Sequence, residues 1–398
     1  MAYQHFKLSS AGRLATIIAI SFVACSSFAA GIVADGGALG PGVATAANGA
    51  QVVNIVKPTD QGLSHNQYQD FNVNRPGAVF NNALSAGQSQ LAGQLAANPN
   101  LNGHSASVIL NEVISRNPSL LLGQQEVFGM AADYVLANPN GITCDGCGFI
   151  NTSRSSLVAG NPLIENGMLR AYSTLNNHNL LQIGSGGVTA ERVLDLVAPR
   201  IESNGAVRAE AINAISGNNR LTRDLTQIEA APNDTALDSY YLGSMQAGRI
   251  RIINTAEGSG VKLAGSLQAE QAITVKAKVR LALQSAQLRG GDVTLQAKTL
   301  RAEGTLTERT TQSSGKDNYQ NYRGGIDVHA SQQEQGYRRT EISGKNLTLV
   351  AAESNHLTAT DLRGDDVTIQ GGRRLAGWPA PDAAPGADRQ SLVLLLAT

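Results

Sequence analysis

Short runs in which apolar and polar residues alternate recur through the second half of the chain, and each run ends in a small residue. Three pairs of runs stand 18 or 20 residues apart: 194–198 with 212–216, 273–277 with 293–297, and 347–351 with 367–371. Alternation at a period of two puts one side of a strand inside and the other outside. One short strand cannot bury its inner side, but stacked coils can. The repeat therefore predicts an all-β fold, a parallel β-helix with one coil per repeat.

Glycine-rich segments between the runs fit the corners of such coils, as at residues 289–292 and 363–366. A β-sandwich would space its turns about 8–12 residues apart. Aromatic residues make up only 4% of the 398 residues, while 42 are Gly, so the core is expected to consist mainly of aliphatic and small side chains. The tripeptide Arg363-Gly364-Asp365 spells an integrin-binding sequence, but its place at a repeating corner favours a simple turn.

Two polar segments interrupt the repeat, residues 216–239 and 308–339, and both are predicted to be extra-helical hairpins or loops. The N-terminal part, residues 30–185, is dense in turn formers, and the repeat fills a stem at residues 186–372. Residues 373–398 are rich in Pro and cannot form ladder strands, which predicts an irregular tail. We hypothesise that the chain is a truncated product of a longer gene.

The first 29 residues have the features of a signal peptide. Lys7 and Arg13 supply the positive region, residues 14–25 the apolar stretch, and small residues precede a cleavage site after Ala29. Cys25 leaves a lipoprotein site as an alternative. The apolar stretch is too short to span a membrane, so an exported protein is predicted.

The cysteines that follow the signal peptide, Cys144 and Cys147, stand as Cys-Asp-Gly-Cys. In an exported protein this spacing favours a local disulfide, which constrains a turn and adds little global stability. The alternatives to a disulfide are a redox site and half of a zinc site.

The charge balance and the motifs argue against several functions. Lys plus Arg and Asp plus Glu each number 31, so the neutral chain lacks the electrostatic footprint of a nucleic-acid-binding protein. No pair of the six histidines has metal-ligand spacing, and neither a phosphate-binding loop nor a nucleophile elbow is present. We therefore predict no cofactor, no metal and no enzymatic activity. A polysaccharide-active β-helix enzyme is the rival, and it would need charged residues clustered on one outer face.

Two stretches of the N-terminal part carry a family resemblance. Residues 62–73 read Gly-Leu-Ser-His-Asn-Gln-Tyr-Gln-Asp-Phe-Asn-Val, and residues 137–152 read Ala-Asn-Pro-Asn-Gly-Ile-Thr-Cys-Asp-Gly-Cys-Gly-Phe-Ile-Asn-Thr. Both resemble the signatures of two-partner-secretion exoproteins, namely the filamentous haemagglutinin and contact-dependent-inhibition (CdiA-type) proteins with their haemagglutination activity domain. The resemblance is close over residues 50–165, and the stem is similar in kind.

The resemblance implies a right-handed parallel β-helix with an N-terminal β cap, in which residues 30–185 form the secretion domain. It also implies export through the periplasm of a Gram-negative bacterium by an outer-membrane transporter of the Omp85 type (TpsB), which recognises the secretion domain through periplasmic POTRA domains. The expected role is a secreted surface adhesin of the haemagglutinin type. The alternatives are an N-terminal fragment of a contact-dependent growth inhibition toxin carrier, a haem- or nutrient-scavenging exoprotein, and a remnant that only competes for the transporter.

By the same resemblance, two turn motifs contain the candidate secretion residues: Asn138, Pro139, Asn140, Gly141 and Ile142 in one, and Asn98, Pro99, Asn100 and Leu101 in the other. Both also fit ordinary β-turns, because Pro fixes the φ angle of the first central residue and Asn is favoured as the second central residue. Two hypotheses stay open for these motifs. They shape the fold, or they contact the transporter directly.

Overall fold

The described residues of the computed structural model are 31–231, 238–257, 260–317, 326–371 and 375–377. Within them the chain is all-β and forms the predicted right-handed parallel β-helix. These residues include no helix that could cross a membrane. The predicted signal peptide, residues 1–29, lies outside the described residues, as does most of the predicted tail.

The coils stack their strands into three parallel faces. Face one consists of β4 (Leu63–Phe71), β8 (Val108–Val113), β11 (Ala132–Ala137), β14 (Thr152–Val158), β19 (Val193–Ala198), β22 (Ala211–Ser216), the second halves of β26 (Ser244–Asn254) and β28 (Ser266–Ala277), the first halves of β31 (Asp292–Glu303) and β35 (Asn346–Thr358), and β37 (Asp366–Gly371).

Face two consists of β9 (Ser119–Leu121), β12 (Ile142–Cys144), β17 (Leu180–Ile183), β20 (Arg200–Ser203), β25 (Ser239–Tyr241), β27 (Gly260–Leu263), β29 (Arg280–Gln284), the second halves of β31 and β35, and β38 (Leu375–Gly377). Face three consists of β3 (Gln51–Asn54), β5 (Ala78–Asn82), β10 (Gln124–Gly129), β13 (Cys147–Ile150), β18 (Val188–Ala190), β21 (Val207–Arg208), the first halves of β26 and β28, β30 (Gln287–Arg289), β34 (Thr340–Ser343) and β36 (Thr360–Arg363).

The pairing register explains the sequence repeat. Residues that stand one repeat apart are direct partners on face one: Leu194 with Ile212, Ile273 with Val293, and Leu347 with Val367. One repeat is therefore one coil, as the alternating pattern predicted. The two glycine-rich corners around Gly290 and Gly364 both join face three to face one, so the Arg-Gly-Asp tripeptide occupies a repeating corner.

Antiparallel strands cover the N-terminal end of the β-helix. β1 (Ile32–Ala34) pairs with β4, and β2 (Gly42–Thr45) pairs with β3. Gln51 links the two by accepting a hydrogen bond from Ile32 N at 2.8 Å and donating one to the Ile32 carbonyl at 3.3 Å. An open edge of unpaired backbone groups would invite pairing with other chains, and these strands close it.

The few aromatic side chains are concentrated inside the first coils. An unbroken row of ring contacts joins Tyr68, Phe71, Phe80, Tyr134 and Phe149, with successive ring centroids 4.9, 6.0, 5.2 and 5.2 Å apart. The Tyr134 hydroxyl donates to Gln125 Oε1 at 2.5 Å, so its polar end is satisfied within the core. Aliphatic side chains fill most of the interior of the later coils, in agreement with the composition.

A second apolar layer lies on the outer side of face one, where Leu110, Val135, Val158, Val197 and Ile215 are buried. A four-stranded antiparallel sheet covers it, built from β15 (Asn161–Glu165), β16 (Met168–Ser173), β23 (Asn219–Thr222) and β24 (Ile228–Ala230). We call it the cover sheet. Its buried side chains are Leu169, Tyr172, Leu221 and Leu225.

The structure corrects the predicted segments at several points. Residues 161–173 were not predicted to leave the β-helix, yet they form half of the cover sheet. Ser216 and Ser239, the predicted ends of the first insertion, lie in β22 and β25 of the coils, so only residues between them leave the helix. Such pairing between distant segments leaves no local signal.

The second insertion is a long antiparallel hairpin of β32 (Thr305–Asp317) and β33 (Ile326–Arg338), which begins three residues before the predicted start at 308. β38 pairs in parallel with β35. The prediction that the chain is irregular from residue 373 is therefore wrong for the residues of this strand. A short two-stranded ribbon of β6 (Gly87–Ser89) and β7 (Gly93–Leu95) also leaves the coils.

Stacked glycines form the corner between faces two and three. A Cβ atom on Gly205, Gly243 or Gly265 would lie 2.1, 2.0 or 1.7 Å from the carbonyl oxygen of the glycine one coil earlier. Real Cβ atoms do not approach oxygen so closely. Glycine is therefore required here so that adjacent coils can reach hydrogen-bonding distance.

We expect Gly265→Ala to lower the free energy of unfolding by about 2–3 kcal/mol, because its methyl group must push apart two stacked backbones. Gly336→Ala in the hairpin is the matched control, since its Cβ would meet only the Thr307 side chain at 3.5 Å. Urea unfolding of both variants tests the expectation. Equal stability of the two would contradict the tight corner.

Candidate functional site

The first candidate motif forms the corner between β11 on face one and β12 on face two. Asn138 is fully buried, and its Oδ1 accepts hydrogen bonds from the backbone N and the side-chain Nδ2 of Asn140, both at 2.9 Å. Gly141 N donates to the Asn138 carbonyl at 3.2 Å and closes the turn, and Gly141 has a φ of +108° that favours glycine. Ile142 then enters the core. The motif is thus an Asx turn that delivers an apolar residue to the next face.

The same turn is tied to the preceding coil. Asn138 Nδ2 donates to the Asn117 carbonyl and to Ser119 Oγ, both at 2.9 Å. Asn140 Nδ2 donates to the Ser115 carbonyl, also at 2.9 Å. A buried polar group left unpaired costs about 1–3 kcal/mol, so these contacts fix the register of two coils at this corner.

The second candidate motif has the same geometry at the corner between faces three and one. Asn98 Oδ1 accepts a hydrogen bond from Asn100 N at 3.0 Å. Asn98 Nδ2 donates to the Ile55 and Asn81 carbonyls at 2.9 and 2.8 Å, and Leu101 is fully buried. This turn therefore joins two earlier strands, β3 and β5, at the point where the chain re-enters the coils.

The disulfide lies at the remaining corner, between faces two and three. Cys144 ends β12, Cys147 begins β13, and the two are bonded. Gly146 N donates to the Gly187 carbonyl at 3.0 Å, and Asp145 Oδ1 accepts from Gly186 N at 2.6 Å. The bridged turn is thus stacked on the corner of the next coil. In the described part of the chain, no group of three or more His, Cys, Asp or Glu side chains could hold a metal ion.

The three predicted motifs therefore occupy three different corners and do not converge on one cluster. What they share is a role in closing coils: each motif bonds to a neighbouring coil through buried polar groups or the backbone. Sequence reasoning missed a third turn of the same kind at Asn177 and Asn179. The signal was available, since Asn177-His178-Asn179-Leu180 repeats the Asn-x-Asn-Leu pattern of the Asn98 motif, but it has no proline.

Buried charges lie on the outer side of face one, beneath the cover sheet. Asp195 on β19 is fully buried and forms an ion pair with Arg154 on β14, whose Nη2 lies 3.1 Å from Asp195 Oδ1. Ser156 Oγ and Asn213 Nδ2 also donate to the Asp195 carboxylate, at 2.9 and 2.8 Å. A buried carboxylate is tolerated only when it is paired and fully hydrogen-bonded, as it is here.

A second ion pair reaches the cover sheet itself, where Arg223 Nη2 donates to Asp133 Oδ2 at 2.6 Å. Burial raises the pKa of the Asp133 carboxyl, against the opposing effect of Arg223. Burial, with a smaller contribution from the Asp195 carboxylate, also raises the pKa of the Tyr172 hydroxyl. The mainly apolar layer between face one and the cover sheet therefore also holds two ion pairs.

A family model described as the TPS secretion domain, where TPS stands for two-partner secretion, matches residues 30–283 of this chain. The chain belongs to the TPS secretion-domain family. The match confirms the resemblance predicted from residues 62–73 and 137–152. It extends past residue 185, where we placed the end of the secretion domain, into coils that we assigned to the stem.

The sequence is similar to those of much longer proteins. It is 58% identical over 386 residues to a hemolysin of Serratia marcescens and 56% identical over 371 residues to a hemolysin of Proteus mirabilis, matches that cover 94% and 93% of this chain. They cover 23% and 22% of those relatives, so the chain spans less than a quarter of their length. A toxin CdiA of Yersinia pestis is 39% identical over 262 residues, which are 64% of this chain and 8% of that protein.

The fold is also similar to a solved structure, the crystal structure of the filamentous hemagglutinin secretion domain. The superposition has a TM-score of 0.62 at 28% sequence identity and covers 86% of this chain and 100% of that one. The TPS domain and its β-helix fold are thus supported by sequence and by structure.

Proposed function

We propose that this chain is the secretion-directing N-terminal region of a hemolysin-type exoprotein, and that a TpsB outer-membrane transporter exports it from a Gram-negative cell. The observation that carries the proposal is the Asn138 turn, a buried hydrogen-bonded corner inside a TPS domain. The proposal assigns this region no catalytic step and no cofactor. Its role is to present a fixed shape that the transporter recognises.

The geometry suits recognition by a folded shape. Pro139 and Asn140 remain half-buried at the outside of their corner, while Asn138 beneath them is buried and fully bonded. A partner that contacts Pro139 and Asn140 would meet a surface already held in place, so little conformational entropy is lost on binding. The POTRA domains of the transporter are the partner that we propose for this surface.

The class of cargo follows from the relatives. Two proteins that match more than 90% of this chain are named hemolysins. We therefore place a hemolysin-type protein ahead of the surface adhesin expected from the sequence. A CdiA-type toxin carrier is the second candidate, supported by the 39% identity to a toxin CdiA. Lysis of erythrocytes, adherence to cells and growth inhibition of neighbouring bacteria, each measured with the complete gene product, separate the three.

Export itself is tested by expressing the chain in a Gram-negative host with and without a TpsB transporter. We expect the chain in the culture medium only when the transporter is present. A transporter whose POTRA domains are deleted is the control, and it should leave the chain in the periplasm. Secretion at the same level without any transporter would disprove the proposal.

Direct recognition is tested with the purified folded chain and isolated POTRA domains. Binding that is lost in an Asn140→Ala variant with an unchanged fold favours contact at the turn. Unchanged binding, together with reduced export of unstable variants, favours the hypothesis that the motif only shapes the fold.

A further inference from the structure

A third turn repeats the geometry of the two candidate motifs. Asn177 Oδ1 accepts a hydrogen bond from Asn179 N at 2.9 Å, as Asn138 does from Asn140 and Asn98 does from Asn100. Asn177 is buried, like the first asparagine of each other turn. Leu180 then begins β17, as Ile142 begins β12.

The third turn is bonded directly to the Asn138 turn. Asn177 Nδ2 donates to the Pro139 carbonyl at 2.9 Å and to the Ala159 carbonyl at 3.0 Å. Asn179 Nδ2 donates to the same Pro139 carbonyl at 2.7 Å. One oxygen in the middle of the Asn138 turn therefore accepts two hydrogen bonds from the next coil.

These contacts complete a ladder along a single corner of the β-helix. Asn117 Nδ2 donates to Asp70 Oδ1 at 2.7 Å, Asn138 Nδ2 donates to the Asn117 carbonyl, and Asn177 Nδ2 donates to the Pro139 carbonyl. The Asn138 turn is thus held from both sides, by the coil before it and by the coil after it. The Asn98 turn lies at a different corner, outside this ladder.

We propose that Asn177 and Asn179 are positioning residues for export, a third turn that fixes the Pro139 side of the Asn138 turn for the transporter. This inference rests on the proposed function. The two donors determine the orientation of the Pro139 peptide group, and that peptide belongs to the surface offered to the POTRA domains.

Single variants of the full chain test the role of each contact. Asn177→Ala removes the turn acceptor and the two hydrogen bonds that Asn177 Nδ2 donates, to the Pro139 and Ala159 carbonyls. Asn177→Ser keeps an acceptor but cannot bridge to the Pro139 carbonyl. At a temperature where the variants are fully folded, we expect both to bind POTRA domains about tenfold more weakly, the effect of losing one or two hydrogen bonds to this peptide. His178→Ala is the matched control, because His178 is exposed in the same turn and makes none of these contacts.

A double-mutant cycle then separates coupling from general destabilisation. Asn138→Ala and Asn177→Ala should be non-additive in urea unfolding and in export, since residues in one hydrogen-bond network couple. Asn98→Ala and Asn177→Ala should be additive, because their turns lie at different corners. Normal POTRA binding and normal export of Asn177→Ala would overturn the inference, as would additivity of the first pair.

The outcomes also distinguish this inference from the proposed function. If Asn138→Ala blocks export and Asn177→Ala does not, the third turn has no role in positioning, and the proposed function stands. If the wild-type chain is not exported by the transporter, the proposed function fails. The positioning role for export then fails with it, and the unfolding cycle reports only whether the two turns are coupled.

Discussion

Asn138→Ala is expected to reduce export of the chain by more than tenfold and to lower its free energy of unfolding by about 2–4 kcal/mol. The substitution removes four hydrogen bonds, two donated by Asn138 Nδ2 and two accepted by its Oδ1. The carbonyl of Asn117 and the backbone N of Asn140 lose their partners in a largely buried corner. Urea unfolding of the purified chain and its amount in the culture medium measure the two effects.

Asn346→Ala is the matched control for this prediction. Asn346 also bonds across coils, by donating to Asp292 Oδ1 at 2.7 Å, but that hydrogen bond is exposed. Water can replace an exposed partner, so we expect a stability change within about 0.5 kcal/mol and normal export. If Asn138→Ala behaved like this control in both measurements, the buried turn would not be the secretion element.

Asp195→Ala is expected to destabilise the chain by about 3–5 kcal/mol, because breaking a buried ion pair leaves the other charge without compensation. The Asp195 side chain is 0% exposed and that of Arg154 is 21% exposed, so water can solvate the orphaned guanidinium only in part. Ser156 and Asn213 lose an acceptor at the same time. Urea unfolding measures the loss, and faster trypsin cleavage at Arg220 and Arg223 reports loosening of the cover sheet.

The double variant Arg154→Met with Asp195→Leu separates charge from packing. Replacing both members of a buried pair with apolar groups is often neutral or stabilising, so we expect most of the stability to return. If the double variant were as unstable as Asp195→Ala, the shape of these side chains would matter rather than their charges. An Asp195→Ala variant as stable as the wild type would show that the ion pair contributes nothing to the stability of the chain.

The order of the coils was predictable because the signals for a coil are local. A period of two in residues 273–277 and 293–297 specifies strands, and Gly or Asn-Pro-Asn between strands specifies corners. The positions of the Asn138 and Asn98 turns, and the proximity of Cys144 and Cys147, therefore followed from short stretches of sequence. The family likewise followed from continuous motifs.

The cover sheet shows where local reasoning fails. β16 pairs with β23, and two full coils of the β-helix separate these strands along the chain. These two strands pair because both pack over the apolar outer residues of face one. Those residues form one continuous surface only once the coils are stacked. The apolar outer residues Val135, Val158 and Val197 indicate that face one needs a covering layer, but not which segments form that layer.

The coil repeat, the fold class, the family and two of the three asparagine turns were predictable, because each depends on residues that are close together along the chain. Which turns touch, which charges are buried and which segments assemble over face one could be seen only in the folded molecule. Asn177 meets the Pro139 carbonyl, and Arg154 meets Asp195, only because coil stacking brings residues about 40 positions apart to within about 3 Å of one another. Contacts across coils are set by register, and register is a property of the folded stack.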